Sequence, residues 1–277
     1  MNENTTVDHR ADLAIVRVRH PLKMRMLQVK RVLPITPQLV RITLAGDDLE
    51  GFQSASFDDH IKVFFPRPGE DKPALPSVGP NGPIFSDTEP KPIARDFTPR
   101  RYDRVAGELD IEFALHAAGP ATTWAAQARV GQYLGIGGPR GSMMIPTGFD
   151  WHLLIGDETA LPAIARRIEE LPAGTRVAAL IEVEQPSARI EFETKASLYV
   201  EWRYRSESDY PGAGLLLALR EMYLPEGEGY VWAAGESTVI RAVRQHLCAE
   251  RGIEKGRIRA SSYWKRGVDA VHESIDD

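Results

Sequence analysis

The sequence Arg-Asp-Phe-Thr-Pro-Arg-Arg-Tyr at residues 95–102 lies between a proline-rich segment and a strand-like run at 109–115. On a strand, alternate side chains face the same way, so we expect Arg95 and Phe97 to share one face, with the Thr98 hydroxyl beside them. A guanidinium pairs with a pyrophosphate, a ring packs on a flat heterocycle, and a hydroxyl or amide meets a ring nitrogen. This combination suits a flavin nucleotide. The alternative is an exposed basic turn before an edge strand.

The bulk composition is that of an ordinary globular protein. The chain has 277 residues, of which 43% are hydrophobic and 26% charged, and its formal net charge is −5. This length predicts one large or two ordinary domains, and the negative charge argues against general affinity for nucleic acid. The single cysteine, Cys248, excludes an internal disulfide and a cysteine-clustered metal site, and is typical of a reducing compartment.

The sequence shows no membrane or export signal. No apolar run approaches the roughly 18 residues of a membrane span, and the polar start of the chain lacks the apolar region of a secretory signal. We therefore expect a cytoplasmic protein with no membrane partner, whose residues 1–16 form a flexible tail.

The region at 17–147 reads as short strands. It is rich in β-branched residues separated by glycine and proline, with strand-like runs at 28–33, 39–44, 60–65, 108–115 and 132–136. Closely spaced strands of this kind predict an antiparallel barrel or sandwich. A segment at 66–92 with eight prolines interrupts them, and a loop this long is either functional or disordered.

The region at 148–277 alternates between strands and helices. The predicted strands lie at 151–156, 177–183, 198–202, 229–235 and 258–264, and the predicted helices at 159–171, 215–223 and 237–251. This alternation predicts a doubly wound parallel α/β domain. We place the domain boundary near 146–150 and expect Ser237 to cap the last helix.

A second informative segment follows the strand at 108–115. We expect the strand to end at His116, the chain to turn at Gly119, and Thr122 or Thr123 to cap a short helix that ends near residue 129. A helix start with free amides and hydroxyls accepts phosphate. The alternative is a capped surface helix with no ligand.

The turn Gly-Gly-Pro-Arg-Gly-Ser at 137–142 follows another predicted strand. It is not a phosphate loop, because no Gly-Lys-Ser/Thr ending follows. Its glycines would let the backbone approach a ligand or the other domain, and Arg140 would project from a rigid position. The alternative is an ordinary hairpin with a solvated arginine.

Two strand–glycine–helix turns occur at strand ends of the predicted α/β sheet: Gly-Asp-Glu-Thr at 156–159 and Ala-Gly-Glu at 234–236. Open α/β sheets bind ligands at the carboxyl ends of their strands, so we expect a nicotinamide nucleotide here, with Thr159 as the cap of the following helix. The three-glycine dinucleotide fingerprint is absent. Every doubly wound sheet has small residues at such turns, which is the alternative interpretation.

The type of nicotinamide nucleotide stays open. Glu182 and Glu184 end the second parallel strand, where acids favour an unphosphorylated ribose. Arg189, Arg203 and Arg205 could instead meet a 2′-phosphate. Neither set decides between NADH and NADPH.

Together these segments resemble the siderophore-interacting protein family of flavin reductases, within the ferredoxin–NADP reductase superfamily. The resemblance extends from about residue 18 to residue 267, with matching segments at 95–101, 116–124, 138–142, 156–162, 234–236 and 263–267. It implies an FAD-binding antiparallel Greek-key β-barrel at 17–147, followed by a doubly wound α/β domain at 148–277 that binds NADPH or NADH. It also implies electron transfer from NAD(P)H through FAD to a ferric siderophore, with ferredoxin as the donor in some members.

The resemblance also implies roles for individual residues. Arg95 would hold the pyrophosphate and Thr98 would meet the flavin ring, whereas Phe97 stands where many members have tyrosine and keeps only the packing. The implied cofactor-binding residues are Arg95, Asp96, Phe97, Thr98, His116, Gly119, Ala121, Thr122, Thr123, Gly156, Asp157, Glu158, Thr159, Ala234, Gly235 and Glu236. Lys62, Arg140 and Lys265 would attract an anionic siderophore if they converge, although a single lysine is more often a solvated surface residue.

No catalytic acid or base and no protein-bound metal is expected, because electron transfer to a chelate requires neither. We expect a monomer. Two other functions stay open: a general flavin reductase or ferredoxin-linked electron carrier without siderophore specificity, and a flavin- or siderophore-binding protein without catalysis.

Overall fold

Two β-sheets of different kinds organise the chain, which a computed structural model describes over residues 13–86, 88, 90–115, 119–268 and 273–275. The first half contains one α-helix, α1 (Pro120–Ala126), and eleven described strands: β1 (Val16–Arg19), β2 (Met24–Thr36), β3 (Leu39–Ala45), β4 (Ile61–Phe65), β5 (Ser77–Gly79), β6 (Gly82–Ile84), β7 (Ile93–Phe97), β8 (Arg101–Asp103), β9 (Glu108–Ala114), β10 (Tyr133–Gly137) and β11 (Gly141–Met144).

Seven of these strands form one curled antiparallel sheet in the order β7-β4-β10-β2-β3-β9-β8. Alternate side chains point to its inner face, as on β4, where Ile61, Val63 and Phe65 are all buried in the same apolar cluster. β1 pairs with β11 in a separate ribbon. The strand-rich antiparallel half predicted from the sequence is confirmed.

The proline-rich loop at 66–92 contains a small hairpin formed by β5 and β6. The loop folds back onto the outer face of the curled sheet, where the Lys72 ammonium lies 4.4 Å from the centre of the Tyr133 ring. Leu75 covers Gly135 so closely that a Cβ there would lie 2.2 Å from a Leu75 methyl carbon. Gly135 therefore allows the loop to pack on the strand.

The second half has strands β12 (Trp151–Asp157), β13 (Arg176–Val183), β14 (Ser197–Tyr204), β15 (Gly229–Glu236), β16 (Ile258–Trp264) and β17 (Glu273–Ser274), with helices α2 (Leu161–Glu170), α3 (Ala213–Glu221) and α4 (Ser237–Gln245). The strand order is β14-β13-β12-β15-β16-β17; the first five are parallel and β17 is antiparallel. The order reverses between β12 and β15, as in doubly wound nucleotide-binding sheets. Apolar clusters cover both faces, which confirms the predicted α/β half.

No described helix is long and apolar enough to cross a membrane. The start of the described chain is held in place, because Leu13 is buried in the apolar cluster on the α2 face of the second sheet. Ala14, Ile15 and Val16 are exposed, and the flexible tail over residues 1–16 stays a prediction.

Three predicted helix caps are wrong. α1 begins at Pro120 after an extended Gly119, so neither Thr122 nor Thr123 is the cap, and the helix ends at Ala126 rather than near 129. Proline at the first helical position explains this start, since its fixed φ suits a helix and its missing N–H needs no partner.

At the other two predicted caps, Thr159 and Ser237, a neighbouring carboxylate accepts the hydrogen bonds instead. Thr159 donates its amide and hydroxyl to the Asp157 carboxylate, and α2 begins only at Leu161. At α4 the Glu236 carboxylate, not Ser237, accepts from the first free amides. This helix becomes a π-helical turn at 246–250 instead of running regularly to 251.

The two halves pack directly on each other. Phe57 of the first half belongs to the apolar cluster on the α2 face of the second sheet, and its ring centre is 5.6 Å from that of Trp232 on β15. The Trp232 indole also donates to Asp58 at 2.8 Å. Arg100 forms a two-pronged ion pair with Glu169 on α2. Polar and apolar contacts together join the first half to the α2 face of the second sheet.

Candidate functional site

β7 carries the motif at the edge of the curled sheet. Arg95 lies opposite Val63, and Phe97 opposite Ile61, on the neighbouring strand β4. Residues directly opposite each other in an antiparallel pair share a face, so Arg95 and Phe97 lie on the same side of β7. The Phe97 ring packs 4.4 Å from Phe113 but stays partly exposed. A half-buried ring beside a guanidinium is therefore available at this edge.

Thr98 connects this motif to the second half. Its side chain is 7% exposed and forms a hydrogen bond with the Tyr263 hydroxyl of β16. Burial, together with the negative charge of Asp58, raises the pKa of Tyr263, so the phenol stays protonated. The end of β7 is thereby held at the domain junction.

α1 lies beside the motif because their aromatic side chains form one cluster. The Phe113 ring centre is 6.1 Å from that of Trp124, and Phe113 also packs on Phe97. Pro120 has no N–H and the Thr123 amide donates to Gly119, which leaves the amides at 121 and 122 without an intrahelical acceptor. Ala121 and Thr122 are partly exposed and Thr123 is exposed. His116 lies outside the described residues.

The glycines of the turn at 137–142 serve the first half itself. A Cβ on Gly141 would lie 2.5 Å from the Val18 carbonyl oxygen, so glycine allows β1 to approach. The close neighbour at Gly141 is thus β1, not a ligand or the other domain as expected. Arg140 is exposed, and its guanidinium reaches toward Gly82 in the β5–β6 hairpin.

Asp157 organises the carboxyl ends of the parallel strands. One carboxylate oxygen accepts from the Thr159 amide and hydroxyl; the other accepts from the Glu236 amide at 3.0 Å and the Trp264 indole at 2.8 Å. Gly235 permits this arrangement, because a Cβ there would lie 2.7 Å from the Asp157 carboxylate. The two predicted turns, 156–159 and 234–236, therefore meet at the topological switch point.

A network of acids surrounds Arg205 at the ends of β12 and β13. Arg205 pairs with both Glu158 carboxylate oxygens and donates to Glu184 at 3.1 Å. Glu182 accepts from the Gly212 amide, yet burial raises its pKa to about 7. Burial, and then the charge of Asp157, also raises the pKa of Glu158.

The acids and the arginines that could select between NADH and NADPH are therefore in part bound to each other. Arg205 bridges Glu158 and Glu184, Arg203 pairs with Glu201, and the Arg189 guanidinium lies 5.1 Å from the centre of the Tyr204 ring. A 2′-phosphate at Arg205 would have to share this cation with the acids already bound to it.

The crevice at the switch point is narrow. It measures about 20 Å³ and is lined by Asp157, Glu182, Arg205, Glu236 and Trp264 among others. That volume suits one water molecule and is too small to enclose a nicotinamide ring. A cavity of about 520 Å³ lies at the opposite, amino-terminal edge of the sheet, bordered by Trp151 and Tyr199.

The three predicted substrate cations occupy different environments. Lys62 lies opposite Asp96 on β7, and its ammonium is 2.7 Å from that carboxylate. Arg140 follows β10, the other neighbour of β4, and Lys265 is exposed directly after Trp264 at the end of β16. Strand order therefore places Lys62 and Arg140 on adjacent elements, while the Thr98–Tyr263 hydrogen bond brings the strand of Lys265 to β7.

Two residues of the junction, Asp58 and Trp264, were not predicted to have a role at the site. Asp58 accepts from Trp232 and from Arg259, and is nearly fully buried as it joins the two halves. Trp264 closes the switch-point crevice. The sequence signal for Trp264 was the aromatic pair Tyr-Trp at the end of the last predicted strand; no feature of the sequence singled out Asp58.

Comparison with known proteins agrees with this geometry. Residues 28–143 match the siderophore-interacting FAD-binding domain family, and residues 149–267 match the siderophore-interacting protein family. The NADPH-dependent ferric-chelate reductase of Escherichia coli is 35% identical over 251 residues, which cover 90% of this chain and 95% of the relative. The chain belongs to the siderophore-interacting protein family.

Further relatives of the family cover the chain to a similar extent. The ferric vibriobactin reductase ViuB of Vibrio cholerae is 33% identical over 254 residues, which cover 90% of this chain and 93% of ViuB. The crystal structure of a siderophore utilization protein from T. fusca superposes with a TM-score of 0.86 at 39% identity, covering 93% of this chain and 98% of that one. The family's two-part architecture therefore extends over nearly the whole chain.

Proposed function

We propose that this protein is a flavin-dependent reductase that moves electrons from NAD(P)H through FAD to a ferric siderophore and releases ferrous iron. The observation that carries the proposal is the match over 95% of the length of a relative named as an NADPH-dependent ferric-chelate reductase. The motif on β7 supports it, because it lies where the curled sheet meets the carboxyl edge of the α/β sheet.

The residues on and beside β7 have the chemistry that FAD requires. The site offers a guanidinium at Arg95, a half-buried ring at Phe97, a hydroxyl at Thr98 and two helix-start amides in α1. These are donors and an apolar surface for a pyrophosphate and a flat heterocycle. The Arg95 guanidinium donates to the Ala94 carbonyl, which restrains the arginine near the strand. We infer that these residues fit the cofactor.

Bound FAD would supply the exchange between two-electron and one-electron chemistry, and the protein supplies position and electrostatics. Arg95 would bind the pyrophosphate, the amides at 121 and 122 would add hydrogen bonds to it, and Phe97 would pack on the ring system. The Thr98 hydroxyl, held by Tyr263, would orient the ring at the junction. The buried contacts of Asp58 with Trp232 and Arg259 would exclude water there.

The carboxyl edge of the α/β sheet would bind the nicotinamide nucleotide. Asp157 fixes the switch-point turns, and Arg205 with its acids borders the position where a doubly wound sheet binds the adenosine ribose. Lys62, Arg140 and Lys265 would attract the ferric chelate, which is the substrate. Ferric catecholate and carboxylate chelates are anionic, so a local group of cations raises their concentration in a chain of negative net charge.

The experiment is an anaerobic titration of the protein reconstituted with FAD. We expect NADPH or NADH to bleach the flavin absorption, and an added ferric siderophore to restore it while ferrous iron accumulates in a trapping reagent. Bleaching with no response to any ferric chelate would leave only a general flavin reductase. A flavin that neither nucleotide bleaches would leave a binding protein.

The proposal includes a cytoplasmic monomer and allows ferredoxin as an alternative electron donor. Light scattering during size-exclusion chromatography tests whether the protein is a monomer, since a dimer at micromolar concentration would contradict the proposal. Reduced ferredoxin in place of NADPH tests the second, because it should also bleach the flavin if the chain accepts it.

A further inference from the structure

The Lys62 ammonium has a partner within the protein. Both carboxylate oxygens of Asp96 lie 2.7 Å from it. The two side chains are 46% and 21% exposed, so an anion from solvent can reach the pair. A lysine that is bound to an internal acid becomes available to a substrate anion only by exchange.

No second charged group faces the ammonium from the neighbouring strand β10. Lys62 lies opposite Asp96 on β7 and opposite Gly137 on β10. Gly137 has no side chain, and the space beside it is filled by two uncharged groups, the Met24 thioether and the Phe64 ring. Asp96 also acts on Tyr263 at the end of β16 through its negative charge, which places the ion pair close to the domain junction.

We propose that Asp96 sets the affinity of the site for anionic ferric chelates by competing with them for Lys62. This inference rests on the proposed function, which brings the chelate to this junction. When the chelate binds, the ammonium exchanges the Asp96 carboxylate for an oxygen of the chelate, and when the chelate leaves, Asp96 binds the ammonium again. Asp96 is therefore a positioning residue that weakens binding and speeds release.

The test is the substitution Asp96→Asn, which keeps the shape of the side chain and removes its charge. Binding is measured by calorimetry with a gallium catecholate complex, which is triply anionic and cannot be reduced. We expect the Kd to fall roughly two- to fivefold, the range of an exposed ion pair. The difference should shrink as salt increases, and an uncharged gallium hydroxamate complex should show no such change in affinity.

Double mutants distinguish competition from simple repulsion. In a Lys62→Gln background, Asp96→Asn should lose most of its effect on the Kd, whereas in a Lys265→Gln background the effect should persist. An equal effect in the Lys62→Gln background would show that Asp96 acts on the chelate directly, and would overturn the inference. Glu250→Gln controls for net charge, since this exposed acid follows the far end of α4.

Reduction of the matching ferric complexes is measured separately, with the flavin content of each variant recorded. Tighter gallium binding by Asp96→Asn without any ferric reduction would refute the proposed function and leave the inference standing. A wild-type protein that does not bind the anionic complex, or an Asp96→Asn variant that binds it less tightly, would overturn the inference whatever the reductase activity.

Discussion

Replacing Asp157 with asparagine tests the arrangement of the carboxyl strand ends, because this one side chain accepts from four donors. An asparagine has only one acceptor atom, and its NH₂ group cannot accept. In one orientation it leaves the Glu236 amide and the Trp264 indole without their acceptor; in the other it leaves the Thr159 amide and hydroxyl without theirs. Either way two donors near the crevice lose a partner.

The magnitude follows from these two donors. Each unsatisfied buried donor costs about 1–3 kcal/mol of folding free energy. Part of this is offset, because the negative charge of Asp157 opposes ionisation of Glu158 and the substitution removes that repulsion. We therefore expect Asp157→Asn to lower the free energy of unfolding by about 2–4 kcal/mol.

The assay is urea denaturation at pH 7.5, followed by tryptophan fluorescence. Asp103→Asn is the matched control: Asp103 ends β8, and its Oδ1 accepts from the amides of Val105 and Ala106, which an asparagine oxygen can still do. The substitution weakens only a partly exposed ion pair with Arg101. The control should lose far less stability than Asp157→Asn. Equal stability of Asp157→Asn and the wild type would refute the proposed role of this carboxylate.

Three further substitutions test separate parts of the molecule. Burial and the nearby Arg167 charge lower the pKa of His152 to about 4. Below about pH 6.5 the unfolded state therefore binds a proton that the folded state does not bind, which lowers the free energy of unfolding by about 2.5 kcal/mol between pH 7 and 4.5. In urea denaturation, the His152→Leu variant should lack this part of the loss of stability at acid pH. Glu184→Gln frees Arg205 from one acid, and should raise kcat/KM for NADPH relative to NADH roughly two- to fivefold. Arg95→Ala removes the proposed pyrophosphate contact, and should weaken FAD binding by about 10- to 100-fold in a flavin fluorescence titration.

His152→Leu that keeps the full acid sensitivity would mean that other groups cause it. Glu207→Gln, a change of the same charge on the nearby exposed loop, should leave the NADPH preference closer to wild type than Glu184→Gln does. Arg104→Ala removes an exposed arginine from the turn after β8 and should retain FAD; equal loss in both arginine variants would contradict the role given to Arg95.

The sequence predicted the two halves because each has a strong periodic pattern. The buried strands β12 and β15 are almost wholly apolar, and strands alternating with helices indicate a parallel sheet. The side-by-side position of Arg95 and Phe97 also follows from the two-residue repeat of a strand. These features depend only on neighbours in the chain.

The features that sequence reasoning missed depend on distant pairing or on small local differences. The ion pair between Lys62 and Asp96 requires β4 and β7 to be adjacent, across a loop whose hairpin was not predicted. At the start of α4, Glu236 and Ser237 can both accept a hydrogen bond. The cap is Glu236 because it is the last residue with extended backbone angles, so Ser237 falls inside the helix.

The position of bound FAD is the central claim, and a crystal structure of the protein with the cofactor measures it most directly. We predict the pyrophosphate against the Arg95 guanidinium and the ring system against Phe97 and Thr98, facing the carboxyl edge of the α/β sheet. FAD bound elsewhere, such as in the cavity beside Trp151 and Tyr199 at the opposite edge, would contradict the account.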